Sequence, residues 1–148
     1  METAMSHVIK HGLLQADDWR LVQAGEPPAD PARAILPLAD WQARPDHPAV
    51  WLAPDETPDA LLPYLGHLSL IAIHFPVFTD GRGYSQARLL RQRHGYRGEL
   101  RAVGDVLRDQ LYFLHACGFD AFSLRADQSP AEAVEALADY RWQPLGQR

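Results

Sequence analysis

From residue 49 onward, apolar and polar positions alternate in blocks that read as strands and helices in turn. Residues 49–53 (Ala-Val-Trp-Leu-Ala) and 68–75 (Leu-Ser-Leu-Ile-Ala-Ile-His-Phe) are nearly continuous apolar runs, the pattern of strands covered on both faces. Residues 98–103 and 121–124 read as two further strands. Helical signals lie between and after them. Thr57-Pro58 starts a short helix, with Thr as cap and Pro in the first turn, and Pro63 limits it. Residues 84–94 form a helix ending near Gly95. Gly104-Asp105 opens a third, with Asp105 as its cap, Leu107, Leu111 and Leu114 along one stripe, and Gly118 as its stop. Ser129-Pro130-Ala131-Glu132 is a capping box with proline in the first turn, and Val134, Leu137 and Ala138 give the last helix its buried stripe.

Strand and helix repeat four times, and short connections through a helix force parallel strands with right-handed crossovers. The expected fold is α/β: a parallel sheet of strand–helix repeats, either open and doubly wound or curled like half of a (β/α)8 barrel. Residues 1–48 differ in texture and read as a small N-terminal β appendage beside the core. Residues 7–10 and 19–22 suggest a hairpin, residues 34–38 an extended segment, and residues 26–31, with three prolines, a loop. The expected organisation is a single domain over residues 1–148, with its repeat core at 49–141 and a loose tail from Trp142.

Composition narrows the function classes. No apolar run approaches the ~18 residues of a membrane span, and the first residues lack the charged-then-apolar layout of a secretion signal. Cys117 is the only cysteine, which excludes an intrachain disulfide and a cysteine-ligated cluster or zinc site built by this chain alone. No cofactor or metal is expected, and a cytoplasmic location follows by default. Cys117 itself reads as a buried, inert thiol. The net charge of −5 argues against nucleic-acid and anionic-membrane partners. Lys10 is the only lysine, and Arg82, Arg88, Arg91, Arg93, Arg97, Arg101 and Arg108 crowd one stretch. That cluster is either a solvated helix face or a local site for an anion or an acidic partner. A homodimer covering Trp41 or Trp142 is a further expectation.

In both arrangements the loops after the strands gather at one sheet edge, where α/β proteins bind ligands. The richest is Asp80-Gly81-Arg82-Gly83-Tyr84-Ser85. Its glycines would let backbone N–H groups approach an anion, and Arg82 would add a bidentate fork. The alternative is a plain turn in which Asp80 pairs with Arg82 while Tyr84 or Ser85 caps the helix. Gly104, Asp105 and Arg125 lie in the neighbouring loops and complete the candidate ligand or partner site. Asp105 and Asp109, four apart on one helical face, could approach each other for acid–base work. The seven histidines show no zinc-hydrolase spacing. His74, ending the central strand, carries the most weight among them, against the commoner reading of a histidine satisfied by hydrogen bonds.

Three runs together resemble the bacterial family called domain of unknown function 934 (DUF934). They are residues 75–91, with Phe-Pro-Val-Phe-Thr-Asp-Gly-Arg-Gly-Tyr-Ser at their start, residues 98–110, with Gly-Glu-Leu-Arg-Ala-Val-Gly-Asp, and residues 117–122, Cys-Gly-Phe-Asp-Ala-Phe. The resemblance implies a bacterial setting in sulfur assimilation, since members are described as oxidoreductases associated with sulfite reduction. It brings no catalytic residue with it. One cysteine cannot hold the iron–sulfur cluster of a sulfite reductase, and no dinucleotide fingerprint is present. The expected role is therefore an accessory protein of assimilatory sulfite reduction, binding sulfite reductase or a small sulfur anion at the C-terminal edge of the sheet. The alternatives are a small oxidoreductase of sulfur metabolism with its site at Asp80, Arg82, Tyr84 and Asp105, and a non-redox binding or assembly module.

Overall fold

The computed structural model describes residues 7–137. Eight strands among them form one sheet: β1 (His7–Lys10), β2 (Leu13–Ala16), β3 (Arg20–Leu21), β4 (Ala34–Pro37), β5 (Ala49–Leu52), β6 (Leu70–Phe75), β7 (Glu99–Gly104) and β8 (Ala121–Phe122). The helices are α1 (Leu38–Gln42), α2 (Arg82–Arg88), α3 (Leu111–Cys117) and α4 (Pro130–Leu137), with a 3-10 segment at Pro58–Tyr64. The spatial order is β2-β1-β8-β7-β6-β5-β4-β3. The four strands expected from residue 49 onward pair side by side and parallel.

The sheet is mixed, because β1 pairs antiparallel with both β2 and β8. The strand order from β3 to β8 is monotonic, so it contains none of the order reversals that define a doubly wound sheet. Curling follows from chain length. β2 and β3 are opposite edges, yet only residues 17–19 join them. Four Cα steps reach about 14 Å at most, whereas eight flat strands would hold their edges roughly 34 Å apart. The sheet therefore curls into a half-barrel.

Residues 7–48 are not an appendage. They supply four of the eight strands, and Val8, Ile9, Val22, Ile35, Leu36 and Trp41 are core residues. Trp41 is buried, so it offers no surface to a second copy; Trp142 and Ala138 lie outside the described residues. The expected partner of residues 7–10 is also corrected. They pair with Leu13–Ala16, because His11 and Gly12 both take positive φ (54° and 78°) and close a two-residue hairpin turn.

Alternation along the strands splits the apolar residues between two faces. Val50, Leu52, Ile71, Ile73, Phe75, Leu100, Ala102 and Phe122 pack in the main core, which includes Ala87, Leu90, Leu111 and Leu114 from the helical segments. Ile35, Ala49, Leu70, Ala72 and Val103 line the concave face with Trp19, Leu21 and Trp51. Arg101, 3% exposed, sits on that face and pairs with Asp17 (2.9 Å) and Glu99 (2.7 Å), while Lys10 pairs with Glu99 (2.9 Å). These ion pairs tie the crossing segment between β2 and β3 to β7.

Candidate functional site

The loops after β6, β7 and β8 meet at the carboxyl edge of the sheet, and hydrogen bonds lock them together. Asp105 is the hub. Its Oδ2 accepts from the Phe78 N–H (2.7 Å) and its Oδ1 from Arg125 Nη1 (2.8 Å). Asp105 caps no helix: a 3-10 turn at Arg108–Gln110 follows Leu107, and α3 starts only at Leu111. Asp105 and Asp109 consequently do not share a helical face, and Asp109 is exposed on the surface beside Arg108. Gln110 completes the lock. Its side chain accepts from the Leu107 N–H (3.1 Å) and donates to Phe78 O (2.9 Å) and to Tyr84 Oη (3.3 Å).

The Asp80–Ser85 segment has the geometry of a self-satisfied turn. Arg82 donates from Nε to Asp80 Oδ1 (3.0 Å) and from Nη2 to Oδ2 (2.8 Å), and its N–H also bonds Oδ1 (3.1 Å). The side-chain bonds, and then the backbone one, hold the Asp80 carboxyl down to about 2, and the same contact raises Arg82. The guanidinium fork is thus occupied within the loop. Arg125 is occupied in the same way, by Asp127 through Nε (2.6 Å) and Nη2 (2.7 Å) and by Asp105 through Nη1; both contacts raise its pKa.

The remaining residues divide between packing and surface. Gly83 is buried, and a Cβ there would lie 2.6 Å from the Phe75 ring, so glycine lets α2 settle on β6. Gly81 has open space around it, and Ser85 is exposed and caps nothing. Tyr84 stacks edge-on against Phe113 (5.3 Å) and tilted against Phe75 (5.4 Å), and burial raises its phenol pKa. Gly104 takes φ +98° at the end of β7. Cys117 is buried and free.

Several residues at this edge carry signals that sequence reasoning passed over. Gln86 is buried and donates to Ala53 O (2.9 Å) and Glu56 O, tying α2 to the loop after β5. Its i+3 spacing from the glycine that seats α2 was the only available hint. Val77, Phe78, Tyr112 and Phe113 are large apolar side chains each about half exposed; Phe113 packs on Tyr84, and the Phe78 carbonyl accepts from Gln110. Among the described residues no group of three or more His, Cys, Asp or Glu side chains could hold a metal ion. No described helix is long and apolar enough to cross a membrane.

Fold and edge together define a singly wound, half-barrel β/α protein with a tightly hydrogen-bonded carboxyl rim. The chain belongs to the bacterial family described as bacterial protein of unknown function (DUF934), whose model matches residues 49–144. That match starts at β5 and covers every rim residue described above. Comparison with curated proteins returns no match.

Proposed function

We propose that this chain is an accessory protein of assimilatory sulfite reduction that docks a reductase partner on the carboxyl rim of β6, β7 and β8. One observation carries this reading. The Arg82 and Arg125 forks at the rim are spent on neighbouring carboxylates, while Val77 and Phe78, on a loop pinned by Asp105 and Gln110, and Phe113, in the first turn of α3, stand half-exposed. Neutralised arginines bind a small anion poorly. Rigid aromatic side chains, by contrast, are the residues that dominate protein interfaces, because they lose little conformational freedom on docking. The rim therefore supports a protein partner over a free sulfur anion.

The test is co-purification from cells growing on sulfate. The tagged wild-type chain should retain sulfite reductase. Phe78→Ser and Phe113→Ser should each reduce that capture by roughly thirtyfold, the usual effect of removing a hot-spot aromatic at about 2 kcal/mol. Both variants should stay folded. Growth on cysteine should be unaffected, while growth on sulfate slows. Undiminished capture by the double variant, or no reductase with the wild type, refutes the reading.

A further inference from the structure

The concave side of the same edge presents a different surface. Continuing the β-register one step beyond its last pairs places Ala53, His74, Val103 and Ser123 at one level across β5 to β8. The layer beneath holds Trp51, Ala72, Arg101 and Ala121. His74 is thus the one large polar side chain in a ring of small ones, at the end of a half-barrel where β/α folds place their ligands. Trp51, Ala53, His74 and Ser123 all remain partly exposed, so the layer opens to solvent.

His74 is held in place without being satisfied. Its ring meets Trp51 edge-on at 5.6 Å, and Trp51 is fixed by its indole N–H to Val22 O (2.8 Å). On the other side the imidazole lies against Gly104, where a Cβ would stand 2.9 Å from His74 Cδ2 and 3.1 Å from Nε2. Neither ring nitrogen has a hydrogen-bond partner among the described residues. Burial lowers the His74 pKa, which keeps the imidazole neutral and one nitrogen free to accept. The charges below sum to zero: Lys10 and Arg101 are matched by Asp17 and Glu99.

We propose that this concave mouth binds a small, flat, uncharged ring carrying one O–H or N–H donor, with His74 as the acceptor and Trp51 as an aromatic wall. The residues level with His74 on β5, β7 and β8 are the smaller Ala53, Val103 and Ser123, and Ala53 and Ser123 are partly exposed beside it. The paired charges beneath carry no net charge to favour an ionic ligand, and the imidazole nitrogen, without a partner among the described residues, supplies the polar contact that orients it. The site lies on the concave face and is independent of the docking rim.

Phenol and anisole test this directly, since anisole keeps the ring and lacks the donor. Titration of the 15N-labelled full-length chain with phenol should shift the Trp51 indole, the Gly104 amide and the His74 ring saturably at about 1 mM, an ordinary affinity for so small a ligand. Anisole should bind about tenfold more weakly, the worth of one hydrogen bond. His74→Phe preserves an aromatic contact with Trp51 and removes the acceptor, so it should abolish the preference for phenol over anisole; His74→Gln, which keeps an acceptor, should retain part of it. Equal affinity for the two probes overturns the proposal, as do shifts confined to other surfaces or a preference that survives His74→Phe. If both variants fail to fold, His74 is a structural brace and the proposal falls. Loss of reductase capture by rim variants leaves this result untouched, so the two readings fail separately.

Discussion

Arg91 offers the sharpest test of how the opposite, amino edge of β7 and β8 is held. It follows α2 in a π-helical turn at Leu89–Arg93, with its side chain only 11% exposed. Nε donates to Gly118 O (2.7 Å), and Nη1 donates to Tyr96 O (2.9 Å) and Gly98 O (2.8 Å). Nη2 lies 3.3 Å from Asp120 Oδ1 without the alignment of a hydrogen bond, so that contact is coulombic. Burial raises the Asp120 pKa against the opposing pull of the Leu100 N–H and Arg91. Arg91→Met keeps much of the side-chain volume, strands three carbonyls and leaves Asp120 with the Leu100 N–H but without its cation. Removing one partner of a buried pair costs about 3–5 kcal/mol, or roughly 10–20 °C in melting temperature for a domain of this size. The loss should depend on pH. Asp120 binds its proton more tightly in the folded chain, so stability falls as pH rises from 3.8 through the folded-state pKa. Without Arg91 that pKa rises further, and the deficit is larger at pH 7 than at pH 4. Urea denaturation at the two pH values measures it, and Asp120→Asn in the Arg91→Met background should recover part of the loss at pH 7. A deficit below about 1 kcal/mol at pH 7, or one identical at both pH values, refutes the reasoning.

Other outcomes follow from the same geometry. Arg82→Ala should leave the melting temperature within a few degrees, because the side chain is 61% exposed, and should return the Asp80 titration from about 2 towards 3.8. Carboxyl-carbon NMR reads this, and an unmoved Asp80 contradicts the pairing. The stabilising effect of that ion pair is complete above 3.8 and fades as pH drops through 2. Gly104→Ala should cost about 1–3 kcal/mol, since φ +98° and the nearby Phe75 carbonyl leave no room for a methyl group; wild-type stability in urea would contradict that. The purified chain should show no visible absorbance band and no stoichiometric iron or zinc by elemental analysis.

The strands from β5 onward were legible because both of their faces are covered and their sequences are apolar throughout. The N-terminal strands were not, for physical reasons that can be named. Leu13–Ala16 is exposed at every position and carries no alternation, so its strand character comes from the His11-Gly12 turn and not from burial. Arg20–Leu21 is two residues long. Its place at the far edge is dictated by Asp17 reaching Arg101, 84 residues away, and by Trp19 packing with the concave cluster. The start of α3 was misplaced because Asp105 has the chemistry of a helix cap but finds a better use in the Phe78 N–H and Arg125.

The arginine cluster shows why residue type fails to locate a site. Arg82, Arg91 and Arg101 sit within twenty residues and are indistinguishable as letters, yet they occupy three different environments. Arg82 lies on the surface, closed on Asp80. Arg91 is a buried clamp between α2, the loop before β7 and the end of α3. Arg101 faces the concave interior, balanced by Asp17 and Glu99. In each case a partner distant in sequence or adjacent in a turn has taken up the charge that suggested an anion site. His74 runs the opposite way. Its sequence context, an apolar strand, argues for a histidine satisfied in the core, but the pleat turns it to the concave face where its neighbours Ala53, Val103 and Ser123 are too small to cover it. A strand's alternation sets which side a residue faces, and the curl of the sheet sets what that side encloses. The second of these depends on the three-residue link between β2 and β3, so the character of the mouth is fixed by a contact outside the segment that forms it.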